Sequence, residues 1–475
     1  MIHTISSRRG SFMSLTCACA LLAGLIAPMS GVALEYDDAQ FFSAPPLAAV
    51  EQTGTLNYSN DRLDRFWVDL SANQVLSLDL AGAAFQDFDL TIYSPDVVSA
   101  PIDHEEFYVE ARSNNANTAT ESLGFLVPPS GTGRYFVEIS AHGGATGAYQ
   151  LTWSLRTALG DAVRISGADR YSTAYAASRS TFTSSSAVVI ASGANVPDAL
   201  AAAGLAGALE CPVLLVPAAT SLDDPRVAPL YLELTRLGAH DAYIIGGTAA
   251  VNDFMYTEIG KMVPSVQRIP GSTRYETAKN VADKIDQING APSDTVFVVR
   301  GDSFADALAV SPFAYSQRLP ILLTPPGGLD AYTRSYIELN DVADVRIAGG
   351  TGAVSAAVAT SIDSLNSGAT DVDRMDGANR YETAAKVAEE CVSLGWGDWN
   401  AIGLATGMNF PDALSGGAAL GTRGGVLLLT ETGTLSQAAY DAISGNASPT
   451  TIALVLGGTA AVNDAVIQTV RGLLP

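Results

Sequence analysis

The sequence predicts a multidomain chain: an N-terminal antiparallel β-sandwich, then three tandem doubly wound α/β modules. Two observations carry this reading. Up to about residue 156, short runs of alternating apolar and polar residues are separated by turn clusters; beyond about residue 160, apolar runs alternate with Ala-rich helical stretches. Within that later stretch, the same set of residues returns three times in the same order. The 475 residues suffice for several domains at about 150 residues each. With 48% hydrophobic and 16% charged residues the composition is globular, which excludes wholesale disorder.

Residues 1–33 read as a signal peptide. Arg8 and Arg9 precede an uncharged, mostly apolar stretch with Leu21, Leu22, Leu25 and Ile26 at its centre. Pro28 and then Gly31-Val32-Ala33 supply the break and the small residues of a cleavage site. An uncleaved anchor is the alternative. The Ser7-Arg8-Arg9 triplet hints at twin-arginine export, although Phe12 sits one place late. Cleavage after Ala33 leaves 24 cations against 49 acids, a formal charge of −25. That balance argues against nucleic-acid binding and against simple adhesion to an anionic membrane. Cleavage also removes Cys17 and Cys19, leaving Cys211 and Cys391, which form no disulfide framework and read as buried free thiols. No later apolar run reaches the ~18 residues of a membrane span.

Residues 34–157 read as β structure. Phe66-Trp67-Val68-Asp69-Leu70 alternates, as do the runs Val75–Leu80, Phe88–Tyr93 and Tyr135–Ile139. Turn clusters such as Ser94-Pro95-Asp96 and Pro128-Pro129-Ser130-Gly131 separate them, a pattern of antiparallel sandwiches. Asp87 and Asp89 offer hard oxygen ligands for a divalent cation, but two side chains at i and i+2 of a strand also simply share a solvent face. The runs Phe66-Trp67-Val68, Asp87-Phe88-Asp89-Leu90, Gly133–Val137 and Gly147–Leu151 resemble the bacterial pre-peptidase C-terminal domain family. That resemblance covers about 115 residues and implies a small jelly-roll-like sandwich with an accessory or binding role.

The repeat is the strongest feature of the chain. Its first landmark is Arg164-Ile165-Ser166-Gly167-Ala168-Asp169-Arg170-Tyr171, which returns from Arg268 to Tyr275 and from Arg374 to Tyr381. The second is Asp198-Ala199-Leu200, repeated at Asp306 and Asp412; the third is Gly246-Gly247-Thr248, repeated at Gly349-Gly350 and Gly457-Gly458. Successive arginines at 170, 274 and 380 lie 104 and 106 residues apart. In unit one the pattern predicts strands at Val163–Ile165, Ala187–Ala191, Pro212–Val216 and Ala242–Ile245. Helices are expected at Arg170–Thr181, Pro197–Glu210, Asp224–Leu237 and Ala249–Met262. Continuous apolar strands covered by helices are parallel and buried on both faces, giving open α/β modules, flavodoxin-like in broad class. The modules are expected at 161–263, 266–366 and 372–475. At ~100 residues each buries little alone, which favours packing against its sisters.

Together the landmarks resemble the type 2 cell-wall-binding repeat family over about 310 residues. The frame Arg-x-x-Gly-x-x-Arg-Tyr-x-Thr-Ala stands complete in all three units. Unit two departs at Ala305, where the others have Pro197 and Pro411, and unit three has Gly425 where the others have Pro212 and Pro320. The resemblance implies three modules in a pseudo-threefold arrangement, holding a monomeric surface protein non-covalently on an anionic polymer of the Gram-positive wall.

Each recurring residue has two readings. Arg170, Arg274 and Arg380 start helices, where a cation opposes the dipole and needs an anion. That anion is a ligand phosphate or carboxylate gripped by the guanidinium fork, or the Asp of the second landmark in the same or next module. Asp198, Asp306 and Asp412 sit in first helical turns, suited to capping. The turns Gly246-Gly247, Gly349-Gly350 and Gly457-Gly458 either present N–H groups to an anion or merely permit tight strand-to-helix geometry. Tyr171, Tyr275 and Tyr381 pack their helices on the sheet. From residue 157 onward, 19 cations face 32 acids and only 4 of the cations are lysine, which favours fixed, forked contacts.

An enzyme working at the carboxyl edges of the α/β sheets, or an adhesin acting through the sandwich, are the competing classes. The four histidines are His3, His104, His142 and His240, and no Gly-x-Ser-x-Gly, His-Glu-x-x-His or P-loop motif occurs. Paired carboxylates for glycosidase work remain open to sequence. No cofactor and no catalytic residue is expected.

Overall fold

Alternation and apolar runs fold as their periods dictate. The computed structural model describes residues 41, 44–47, 51–82, 86–99, 109–113, 120–194 and 196–475; the predicted signal peptide, with Cys17 and Cys19, lies outside them. The N-terminal strands are β1 (Glu51–Asn57), β2 (Leu63–Leu70), β3 (Gln74–Gly82), β4 (Asp87–Tyr93), β5 (Val109–Ser113), β6 (Thr120–Leu126), β7 (Gly133–His142) and β8 (Thr146–Thr157). They form two four-stranded antiparallel sheets, in the orders β1-β8-β3-β6 and β2-β7-β4-β5. Leu76, Leu78 and Leu80 of one sheet and Phe66, Leu90, Ile92 and Ile139 of the other bury a common core. Asp79 on β3 and Asp69 on β2 point to solvent, as period two requires.

The rest of the chain runs through three α/β units. The first holds β9 (Asp161–Ile165), α1 (Arg170–Arg179), β10 (Ala187–Ser192), α2 (Val196–Ala199), α3 (Ala202–Ala208), β11 (Val213–Val216), α4 (Ala228–Leu237), β12 (Asp241–Ile245) and α5 (Asp253–Met262). Next come β13 (Ser265–Ile269), α6 (Arg274–Asn289), β14 (Thr295–Arg300), α7 (Ala305–Gln317), β15 (Ile321–Thr324), α8 (Ala331–Leu339), β16 (Asp344–Ala348) and α9 (Ala356–Asp363). The last are β17 (Asp371–Met375), α10 (Arg380–Ser393), β18 (Ala401–Thr406), α11 (Pro411–Thr422), β19 (Val426–Thr430), α12 (Gln437–Asn446), β20 (Ile452–Leu456) and α13 (Asp464–Leu473). The three parallel sheets have the orders β11-β10-β12-β13, β15-β14-β16-β17 and β19-β18-β20-β9.

The sheets cross the boundaries of the sequence repeats. The strand that opens each sequence repeat completes the sheet of the unit before it, so β13 serves unit one and β17 serves unit two. β9 crosses to the far end of the chain and pairs with β20, Asp161 opposite Ile452 and Ile165 opposite Leu456. The physical reason is edge completion: without β9, β20 presents unpaired N–H and C=O groups along one side.

Helices depart from expectation at two places in unit one. The run Pro197–Glu210 is divided into α2 and α3, with Ala201 at φ −86°, ψ −2° off the α ladder, whereas α7 and α11 are continuous. α4 starts at Ala228 instead of Asp224, because the Asp224 carboxylate is taken locally by the Arg226 N–H at 3.0 Å and its guanidinium. α3, α7 and α11 pack on one another. Gly204 and Gly207 permit that approach: a Cβ on either would overlap the Leu319 or Tyr315 carbonyl. Cys211 and Cys391 are buried and unbridged, and burial pushes both thiols up.

The two-sheet unit is tied to the repeats by charge. Glu233, fully buried on α4, accepts from Arg179 Nε at 2.9 Å and from Arg236 Nε at 3.0 Å. Burial works against its charge, yet the Arg236 and Arg179 guanidiniums hold its carboxyl down to about 2. Arg236 also lies 3.8 Å from buried Glu110 on β5. From unit three, Arg423 donates to Asn73 Oδ1 at 3.0 Å and to the Ser180 carbonyl at 2.9 Å.

Candidate functional site

The recurring residues meet at the carboxyl ends of the parallel strands, where α/β sheets place their crevices. At the end of β12, the Gly246 N–H donates to the Ile269 carbonyl of β13 at 2.9 Å; Gly349 does the same to Met375, and Gly457 to Ile165 across the β20–β9 pair. These first glycines sit at φ +95°, +109° and +99°, a region that disfavours any side chain. A Cβ would also strike the carboxylate of the second landmark, at 2.8 Å for Asp198 and 2.5 Å for Asp306, with Asp412 equally close to Gly457. Their N–H groups are therefore committed to the neighbouring strand. Gly350, a second glycine, lines a cleft instead.

The first arginine of the frame, whose role sequence reasoning missed, fastens this turn. Arg164 donates to the Gly457 carbonyl at 2.6 Å and the Val462 carbonyl at 2.8 Å. Arg268 reaches the Val251 carbonyl at 2.8 Å, and Arg374 the Gly349 carbonyl at 2.6 Å. Its signal was its recurrence at a strand end in every unit.

The second arginine starts the next helix, behind a capping side chain: Asp169 accepts from the Ser172 N–H, Thr273 from Glu276 and Asn379 from Glu382. Arg170 donates to the Gly193 carbonyl and Arg274 to the Gly301 carbonyl, both at 2.7 Å, and Arg380 to the Gly407 carbonyl. Those carbonyls follow β10, β14 and β18 of the same unit. The rings of Tyr171, Tyr275 and Tyr381 cover the same turns. The second-landmark carboxylates approach from the preceding unit. Asp412 of unit three takes the Thr173 hydroxyl of unit one and feels Arg170, while Asp306 of unit two feels Arg380 of unit three. Burial pushes Asp306 up to about 6 against the pull of Arg380 and Arg300, and raises Asp412 likewise.

Clefts open at these junctions. One of about 410 Å³ is lined by Asp306, Gly350 and Thr351 of unit two with Asp376, Asn379 and Arg380 of unit three. Another, of about 260 Å³, sets Pro197 and Leu200 of unit one against Arg274 and Phe304 of unit two. Among the described residues, no cluster of three His, Cys, Asp or Glu side chains is placed to hold a metal ion. Asp89 lies 3.2 Å from His142 on the two-sheet unit, and exposed His240 pairs with Asp241 at 3.1 Å. His104 lies outside the described residues.

Fold and site together define a repeat protein of α/β units with arginine-bearing clefts between units. The family model for cell wall binding domain 2 (CWB2) matches residues 164–256, 268–359 and 374–467, and the chain belongs to that family. It therefore carries three cell-wall-binding repeats. It is 30% identical over 317 residues to the N-acetylmuramoyl-L-alanine amidase LytC of Bacillus subtilis (strain 168), covering 66% of this chain and 59% of that protein. It is 27% identical over 294 residues to the amidase enhancer of the same strain, covering 62% of this chain and 38% of that protein. The chain thus spans less than two thirds of the length of either relative. The fold is like that of Cwp6 from Clostridium difficile, at a TM-score of 0.60 and 19% identity, over 90% of this chain and 68% of that one. Among the described residues no helix is long and apolar enough to cross a membrane.

Proposed function

We propose that the chain is an exported, non-catalytic surface protein, held without covalent bonds on an anionic, teichoic-acid-like polymer of the Gram-positive wall. In this reading the modules are flavodoxin-like and stand around a pseudo-threefold axis in a monomer, each taking its last strand from the following repeat. The N-terminal unit, 34–157, is a pre-peptidase C-terminal-like sandwich with an accessory or effector role; two antiparallel sheets around one core support that assignment. The observation that carries the binding proposal is the junction itself. An arginine from the start of one unit faces the Asp-bearing helix of the unit before it, beside the Gly-Gly-Thr turn.

The carbonyl bond of each arginine uses one of five guanidinium N–H donors. The rest of a fixed fork suits phosphate or carboxylate, which reconciles a locally cationic cleft with an acidic chain. Cosedimentation with purified sacculi, before and after secondary polymers are stripped, tests the reading. Binding is expected to vanish on stripping and on combining Arg170→Glu, Arg274→Glu and Arg380→Glu. Binding that survives either treatment, or hydrolysis of wall substrates by the protein, overturns it.

A further inference from the structure

The sheet β2-β7-β4-β5 turns Phe66, Leu90, Ile92 and Ile139 into the core of the N-terminal unit, so its other face should meet solvent. One end of that outer face is covered: Tyr93 and Phe136 pack with Phe41, Val97 and Val109 in a second apolar cluster. The other end is polar and forms a trough of about 440 Å³. All its described lining residues lie between Arg62 and His142, so it shares none with the Asp–Gly–Arg junctions or with any other part of the repeats.

A row of residues crosses all four strands beneath the trough: Arg65 lies opposite Glu138, Glu138 opposite Thr91, and Thr91 opposite Arg112. Its floor is buried and its charges answer each other. Arg65 Nε donates to Glu138 Oε2 at 2.8 Å, and the Tyr93 hydroxyl to Glu138 Oε1 at 3.2 Å. Asp89 lies 3.2 Å from His142, which bears on its carboxyl more strongly than Arg112 does. The walls differ. Arg62 and Arg112 are exposed, and neither is ion-paired among the described residues, in a chain with 49 acids against 26 cations. Neutral contacts hold both: the Arg62 guanidinium sits 4.5 Å from the centre of the Tyr58 ring, and Arg112 Nε donates to Thr91 Oγ1 at 3.2 Å. That second bond turns the Arg112 guanidinium over the floor and uses one of its five N–H donors.

We infer that this trough binds a small organic anion, its carboxylate or phosphate oxygens gripped by the Arg62 and Arg112 guanidiniums above the Arg65–Glu138 pair. The sign of the ligand follows from the walls, where two positioned cations lack a counter-charge while the acids beside them are already taken. Its size follows from the volume, which falls in the range of small-molecule sites and exceeds what a lone inorganic ion fills. Arg62 leads into β2 and Arg112 sits on β5, at opposite edges of one sheet, a rigid placement that lowers the ordering cost of binding. The N-terminal unit thereby has a ligand of its own, independent of the wall polymer.

Titration calorimetry of the chain from residue 34 to 475 with glycerol phosphate, glycerate and glycerol tests the inference. Saturable binding of at least one of the two anions is expected, with glycerol about tenfold weaker or more. Preference between the anions separates phosphate from carboxylate as the group recognised. Arg62→Gln with Arg112→Gln should lower affinity about tenfold or more. Arg134→Gln, which removes an exposed cation of the same unit outside the trough, should bind as the parent does. A second trough variant, Ser140→Trp, fills the space without removing a charge and should abolish binding. No saturable binding of either anion, equal binding of glycerol, an equal loss in Arg134→Gln, or parent affinity in either trough variant overturns the inference. The junction arginines are untouched throughout, so these outcomes stand whatever the sacculi show.

Discussion

Gly349→Ala paired with Gly350→Ala isolates what the Gly-Gly-Thr turn requires. Gly349 sits at φ +109°, where a Cβ costs roughly 1–2 kcal/mol in backbone strain. The added methyl would lie 2.5 Å from Asp306 Oδ2 and 2.9 Å from Ala353 Cβ, so the carboxylate must move. Overpacking of that kind costs about 1–3 kcal/mol. The expected loss is about 2–5 kcal/mol. At about 2–4 °C per kcal/mol for domains of 150–250 residues, the melting temperature should fall about 4 °C or more. Gly350, one residue on, has only Asp376 Oδ2 at 3.6 Å and the Gly377 carbonyl at 3.9 Å near its Cβ position. Its alanine variant should stay within about 0.5 kcal/mol, as for an ordinary surface change. Urea unfolding of both variants beside the parent decides the matter. Equal losses at the two positions, or none at Gly349, would refute the assignment of the first glycine to backbone geometry.

Three further outcomes are expected. Asp306 has a folded value of about 6 against an ordinary 3.8, so its contribution to stability is complete below about 4 and is lost as pH rises through about 6. Urea midpoints of the parent and Asp306→Asn should therefore separate between pH 4 and pH 7, with the parent losing ground; parallel curves would contradict the buried carboxyl. Arg236→Met leaves Glu233 and Glu110 buried without their shared cation and should cost about 3–5 kcal/mol in urea unfolding at pH 7. A chain lacking residues up to Ile165 should lose hydrogen-exchange protection at the Gly457 N–H, bonded to Ile165, while Gly246 and Gly349 keep theirs. Uniform protection at all three would show that β20 needs no partner.

How much of this was legible in the sequence follows from what leaves a periodic trace. Apolar runs and alternation report burial, so β10, β11 and β12 and the alternating β2–β4 lie where the patterns put them. A repeat reports its period but not its phase relative to a sheet. Arg164-Ile165 heads the first repeat in sequence, yet its strand belongs to the last sheet, since a short strand carries no label of its neighbour. The partners of Arg170, Arg274 and Arg380 escaped sequence reading for a related reason. Their hydrogen bonds go to main-chain carbonyls, which every residue possesses. The division of α2 from α3 in an Ala-rich run left no sequence mark either.

The exchange of strands bears directly on the proposed binding mode. Three units in an open row share two junctions. The pairing of β9 with β20 brings the first unit back to the third and makes a third junction, where Thr173 meets Asp412 and Arg170 bears on the same carboxylate. The junction of units two and three and that of units three and one each draw an arginine from one unit and an aspartate from another, so no isolated unit carries either one complete. In the proposed reading, several junctions in one chain turn weak individual contacts into avidity for a repeating polymer, because later contacts form at high effective concentration. On that reading closure adds a junction, and the five residues of β9 govern a property that the landmark residues alone do not determine.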